Sequence, residues 1–288
     1  MKTKSLHEIG AFTGEELAGY SDTLQRTDEW LELRYGCWNG SENNDLMGCG
    51  RSTSKMGWDN TDKIIDFGSA AEKQVYKVGK ERLTGEHSMQ IDAKPLQHGR
   101  ENEPLLIDQL LKDGIITDFK ELSSEKFYHT GRASVDGVAK VGPNCKVAGL
   151  VLGEEITLEL KCPVSWDGHY KRKYKKVDQT HSDWWQFQSE MAASGIKKLL
   201  YVVTLPMTFK KYDLELVLAS DIHMRALISR CKIADRAIEL WDKYSYQEAL
   251  ERACAEFSPK KEVIEVAETV EKVAKIEKKE KKVVDVDW

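Results

Sequence analysis

Asp136, Glu159 and Lys161 are the residues whose types and spacing suit work on a phosphodiester. They stand in Gly131-Arg132-Ala133-Ser134-Val135-Asp136-Gly137 and in Leu158-Glu159-Leu160-Lys161-Cys162-Pro163. Ile156 to Lys161 alternates apolar and polar residues, the signature of a strand. Residues two apart on a strand point to one face, so Glu159 and Lys161 project together. Asp136 is expected on a neighbouring strand that ends at Gly137. Carboxylate oxygens from Asp136 and Glu159, with a backbone carbonyl such as that of Leu160, would hold magnesium and leave positions for water and phosphate. Lys161 beside that ion can orient or deprotonate the attacking water and stabilise charge growing on phosphorus.

An isolated Asp…Glu-x-Lys also occurs on ordinary solvated strand faces. Its company in this chain changes the reading. Upstream lie Arg26-Thr27-Asp28-Glu29-Trp30-Leu31-Glu32-Leu33-Arg34-Tyr35-Gly36, Asn39-Gly40-Ser41 and His98-Gly99-Arg100-Glu101-Asn102-Glu103. Downstream lies Asp183-Trp184-Trp185-Gln186-Phe187-Gln188, running on to Met191. The order of these elements, over about Thr27 to Tyr244, resembles the lambda-exonuclease-like (YqaJ viral recombinase) family of phage recombination nucleases, which carry a PD-(D/E)xK core.

The resemblance implies a magnesium-dependent exonuclease, with manganese as a substitute ion, that degrades one strand of duplex DNA from its 5′ end. A 3′ single strand would remain for a single-strand annealing protein, and the chain would form a ring-shaped homotrimer around double-stranded DNA ends. It gives Asp136, Glu159 and Lys161 the roles read above. It also places Glu103, the glutamate of Gly-x-x-x-Glu, at the metal as an outer or second-metal ligand. Gln186 and Gln188 match a Gln-x-Gln element; about 200° apart on a helix, they cannot face one site, and Gln186 is taken as the site-facing member. Arg34, Ser41 and Ser134 match a pocket for a terminal 5′-phosphate, and an Arg fork with hydroxyls and a helix start suits that dianion. Asn39-Gly40-Ser41 departs from the usual family pattern, in which a Thr and a small residue often precede the serine. The Val141–Glu155 stretch is longer than in familiar members and reads as a hairpin extension. A structure-specific endonuclease on the same fold and a non-catalytic DNA-end binding module are the other readings; intact Asp136, Glu159 and Lys161 oppose the second.

The elements that must position these residues follow from periodicity and caps. Short helices are expected over 14–20, from Thr27, and over 42–47 with Ser41 as cap. A polar loop spans 51–60. Longer helices are expected over 61–83 and 96–112, closed by Thr84-Gly85 and Asp113-Gly114. Strands follow over 115–119, 126–129, 133–139, 148–152 and 155–161. Helices over 165–175 and 182–194 precede strands over 198–205 and 212–217. A long amphipathic helix covers 220–254, with Ile222, Leu227, Ile228, Ile233, Ala234, Ile238 and Trp241 on its apolar side. This mixed order gives an α/β fold, a central mixed β-sheet flanked by helices.

The 41% hydrophobic content and eight tryptophans describe a globular chain, long enough for one sizeable core. A nuclease domain is expected over 1–257. Residues 258–288 form a charged, low-complexity tail of Lys, Glu and Val that ends on Trp288, an aromatic suited to docking on a partner protein. No apolar run is long enough for a bilayer and the start lacks a signal core, so a cytoplasmic protein is expected; the family resemblance implies that a phage or prophage encodes it. Six scattered cysteines without a C-x-x-C pair suit reduced thiols and oppose an iron–sulfur cluster. Cys162, beside Lys161, reads as a buried strand-end thiol and not as a nucleophile. The net charge of −5 does not exclude DNA, because local fields decide the encounter. Lys171, Arg172 and Lys173, with Lys175 and Lys176, make the helix after the Glu-x-Lys strand intensely basic.

Overall fold

A five-stranded sheet with the order β2-β5-β6-β7-β8 organises the molecule. Its strands are β2 (Ile116–Lys120), β5 (Gly137–Val141), β6 (Glu155–Lys161), β7 (Lys198–Thr204) and β8 (Tyr212–Leu218). All neighbours pair antiparallel except β6 and β7, which run parallel. A parallel pair needs a crossover, supplied by α6 (Trp166–Lys173) and α7 (Trp184–Ser194). The computed structural model describes residues 28–86, 94–122, 124–206 and 208–258. The expected short helix over 14–20 and all but the first residue of the tail over 258–288 lie outside the described residues.

The sheet is buried on both faces. One face carries Ile156, Leu158, Leu160, Leu200 and Val202 against Leu106 and Leu110 of α5 (Lys94–Lys112). The other carries Leu199, Tyr201, Val203 and Val217 against α7, α8 (Asp221–Leu240) and α9 (Tyr246–Phe257). Alternate residues of β7 thus serve two cores, and the sheet sits between helical layers. A smaller sheet, ordered β1 (Trp38–Asn39), β4 (Gly131–Ser134) and β3 (Ser124–Tyr128), lies on the α7 side with α1 (Asp28–Arg34) and α4 (Ser69–Thr84).

Five expected elements differ. The strand over 133–139 is two strands in two sheets: β4 ends at Ser134 and β5 starts at Gly137. Asp136 therefore sits in the break, and Gly137 opens the next strand instead of closing one. The side chain of Phe119 presses so closely on Gly137 that an added β-carbon would lie 2.2 Å from its ring. The helix over 61–83 is interrupted, giving α3 (Thr61–Ile65) and then α4. The cause is Arg230, fully buried on α8, which donates to the carbonyls of Lys63 (2.9 Å), Ile64 (3.0 Å) and Asp66 and to those of Leu46 and Gly48 (2.7 Å each). Carbonyls at the end of α3 that would need a continuing helix are satisfied by one guanidinium.

The helix over 220–254 is likewise a pair, α8 and α9. Ser245 accepts from the Glu248 amide at 3.3 Å, the Ser-x-x-Glu start of a new helix. Ile222, assigned to the apolar side, is half exposed. Residues 148–152 form turns, not a strand, so the stretch between β5 and β6 is a loop closing their hairpin. Ser41 does not cap a helix; it lies inside a 3₁₀ turn, Gly40–Glu42, that leads into α2 (Asn43–Leu46).

Candidate active site

The break after β4 brings Asp136 beside the end of β6. Pairing of β5 with β6 stops at Gly137 and Leu158. Beyond it the Leu160 amide donates to Asp136 Oδ2 at 2.7 Å, so a carboxylate continues the ladder. On β6, Ile156, Leu158 and Leu160 face α5, and Glu159 and Lys161 face α7. Glu159 is buried, and its Oε1 accepts from Lys161 Nζ and from Gln186 Nε2, the latter at 2.8 Å. The same Gln186 nitrogen donates to Glu190 Oε1 at 2.7 Å. Gln188 points elsewhere: its amide bridges Leu218 O (3.2 Å) and Ser220 N (2.8 Å), locking α7 to the end of β8.

Charge is concentrated to an unusual degree. Burial, then Glu159 and Glu103, push the Asp136 carboxyl well above the ordinary carboxylate range, against Lys161 and the Leu160 amide. Burial raises Glu159 too, opposed by Lys161. Glu190 is pushed well up by burial, Glu159 and Asp136. Burial works to lower Lys161, but Glu159, Asp183 and Asp136 outweigh it and hold the ammonium well above its ordinary value. Cys162 is buried and its thiol is pushed up to about 12 by burial, which leaves it without a reactive thiolate.

Glu103 approaches from α5. It lines a cleft of about 280 Å³ together with Asp136, Leu160, Ile107 and Phe119. Its Oε1 lies where a β-carbon on Gly99 would be 3.2 Å away, so glycine one helical turn earlier gives this carboxylate room. Glu101 is exposed and accepts from Gln97 at 3.0 Å.

Arg34, Ser41 and Ser134 converge as a second cluster. Arg34 Nη1 donates to Ser134 Oγ at 3.3 Å and Nη2 to Ser41 Oγ at 3.2 Å. Trp30 donates to the same Ser134 oxygen at 3.1 Å, and the guanidinium lies 4.4 Å from the Trp30 ring centre. The turn that presents Ser41 needs Gly40: a β-carbon there would stand 2.9 Å from Ser189 Oγ and 3.1 Å from Ala133 Cβ. Burial holds the Arg34 guanidinium below its ordinary value, against Glu42. This is a desolvated cation with hydroxyl partners, the condition in which an incoming anion is held best. Ser134 closes β4 and Asp136 stands two residues further on, at the bend before β5, so the backbone keeps the cup and this carboxylate within roughly 7 Å of chain of each other.

The basic run is divided. Lys171 is exposed and pairs with Asp167 at 2.7 Å, whereas Arg172 leans on Asp183 (3.5 Å) and Lys173 on Asp213 (3.2 Å). Three residues of the site escaped sequence reading: Glu190, Asp183 and Trp30. Glu190 is four residues after Gln186, hence on the same helical face. Asp183 stands immediately before α7, and Trp30 one helical turn before Arg34.

The donors present suit a hard divalent cation. Glu159 Oε2 is buried without a hydrogen-bond partner, and Glu159 raises the cost of charging Asp136. Among the described residues no group of three or more His, Cys, Asp or Glu is gathered into a cage. An ion held between Asp136 and Glu159 would keep coordination positions open for substrate.

No family model matches the chain, and no curated protein matches it in sequence. Among solved structures, the alkaline exonuclease LHK-Exo from Laribacter hongkongensis superimposes with a TM-score of 0.56 at 19% identity, over 81% of this chain and 100% of its own. The chain has the fold of an alkaline exonuclease. LHK-Exo in complex with dAMP gives a TM-score of 0.53 at 21% identity, over 75% of this chain and 97% of that one. Among the described residues no helix is long and apolar enough to cross a membrane.

Proposed function

We propose that the chain is a magnesium-dependent exonuclease that removes nucleotides from the 5′ end of one strand of duplex DNA. The observation that carries this reading is the Arg34–Ser41–Ser134 cup, whose Ser134 stands only two residues before Asp136 in the chain. A terminal phosphate held in the cup would set the next phosphodiester, about one nucleotide away, beside Asp136 and Lys161. The fold shared with LHK-Exo, which has been solved with the 5′-mononucleotide dAMP, agrees with such a product.

Asp136 and Glu159, with the Leu160 carbonyl, would hold the magnesium, and Glu103 would border it from the cleft. The ion would supply Lewis acidity and lower the pKa of bound water. Lys161, held as an ammonium by three carboxylates, would stabilise charge growing on the phosphoryl oxygens. Gln186 would fix the Glu159 carboxylate. Lys171, and Arg172 and Lys173 once released from their acidic partners, would steer the duplex backbone. The 3′ overhang would pass to a single-strand annealing protein for phage recombination in the host cytoplasm, from a homotrimer encircling the duplex. Incubating end-labelled linear duplex and closed circular duplex with magnesium tests the reading. Mononucleotides from 5′-phosphorylated linear DNA, with circles intact, are expected; cut circles would show an endonuclease, and no cleavage of either an end-binding module.

A further inference from the structure

We propose that the exposed face of α6 and of the turn that follows it is a ridge for single-stranded DNA, on which Trp166, Tyr170 and Tyr174 stack against bases while Lys171, Lys175 and Lys176 meet the phosphates. The three rings recur every four residues, the last on the C-cap of α6, where the backbone is still helical and the Tyr174 amide bonds the Tyr170 carbonyl, so all three fall on one side. They remain 66%, 62% and 68% exposed. Tyr170 and Tyr174 lie nearly parallel, 29° apart, with centroids 5.1 Å from each other. Exposed rings in a row, rimmed by polar groups, mark a surface that binds something. Charge decides what. Between Ser165 and Lys176 there are five cations and one acid, Asp167. The surface pair between Lys171 and Asp167 holds the lysine weakly, so a phosphate can displace it.

A protein partner with an apolar patch would not need that charge. Intact duplex would use the cations but bury its base faces from the rings. An unpaired strand uses both, because every base has a face to stack and every linkage a phosphate to neutralise. The ridge begins at Ser165, four residues after Lys161, so it borders the end of β6. The strand in question would be the one left unpaired by resection, and to that extent the proposal rests on the exonuclease reading.

The test uses the full chain and a fluorescein-labelled dT oligonucleotide in EDTA, read by fluorescence anisotropy. Replacing Trp166, Tyr170 and Tyr174 together with Ala should weaken dT binding roughly tenfold or more, with affinity for blunt duplex nearly unchanged. Tyr170→Phe with Tyr174→Phe should keep wild-type affinity for dT. Unchanged dT affinity in the triple variant overturns the proposal, as does an equal loss for dT and duplex. A change in mass by sedimentation without a change in dT affinity would assign the rings to contact between copies and also overturn it. Binding in EDTA is independent of cleavage, so failure of the exonuclease reading would appear only as intact duplex in magnesium.

Discussion

Gln186 ties Glu159 to Glu190 through a single amide nitrogen, at 2.8 and 2.7 Å. Two buried carboxyls from a strand and a helix are thereby held together, with Lys161 bonded directly to one of them. Gln186→Met removes the donor but keeps the volume. It should lower metal-free stability by about 1–3 kcal/mol, the cost of leaving buried acceptors unmade, and reduce cleavage. Thermal melts in EDTA, with Gln188→Met as a comparison outside the site, check this; a wild-type melt for Gln186→Met would mean the bridge does not form.

Lys161→Ala should abolish most cleavage, by roughly 10²–10³ in rate as for other groups that stabilise transition-state charge. Far-UV circular dichroism should be unchanged. Asp136→Ala and Glu159→Ala should be inactive as well, and calorimetry should show weaker magnesium binding in both. Wild-type magnesium affinity in both would place the ligands elsewhere.

Arg34→Ala should slow digestion of 5′-phosphorylated ends far more than of 5′-hydroxyl ends. A charge-assisted contact of about 1.5–3 kcal/mol corresponds to roughly 10- to 150-fold. The same substitution leaves the Ser41 and Ser134 hydroxyls without their shared donor. Equal slowing of both ends would make Arg34 a general backbone contact or a structural residue.

Arg230→Leu should cost about 3–5 kcal/mol or more, since it strands several carbonyls around α3 with no donor. Urea unfolding measures this. A loss under 1 kcal/mol would mean that water or a shifted helix replaces the guanidinium.

Glu42 gives a pH dependence with a definite sign. Burial pushes its carboxyl up, but Lys77, Gln74 and Arg34 outweigh burial, so the folded value lies below the ordinary one. Its contribution to stability is complete above the unfolded value of about 4.3 and is lost as pH falls through the lowered folded value. Melting temperatures from pH 6 to pH 3 should therefore fall less steeply for Glu42→Gln than for the wild type. Parallel curves would refute the pairing.

Much of this arrangement was legible in the residues themselves. Alternation set β6 over its observed span, 155–161, and the 200° argument separated Gln186 from Gln188, whose amides bond Glu159 and the end of β8 respectively. Period and cap rules see only neighbours along the chain. They could not see that Arg230, more than 160 residues from Ile64, would end α3. The strand signal of 133–139 continues unbroken through Asp136, because both pieces are extended; only pairing partners in space reveal that they belong to different sheets. The Ser245-x-x-Glu248 start of α9 was present in the sequence, but apolar periodicity on both sides hid it.

The junction between β4 and β5 has a consequence for the length of product. The cup hangs from the small sheet and the Glu159–Lys161 pair from the large one, and Val135-Asp136 is the covalent link that spans them. On the proposed reading, that link is a fixed caliper: the bond addressed is set by two residues of backbone and not by the sequence of the DNA. Each residue inserted there would lengthen the link by up to roughly 3.5 Å and carry the carboxylate away from the cup.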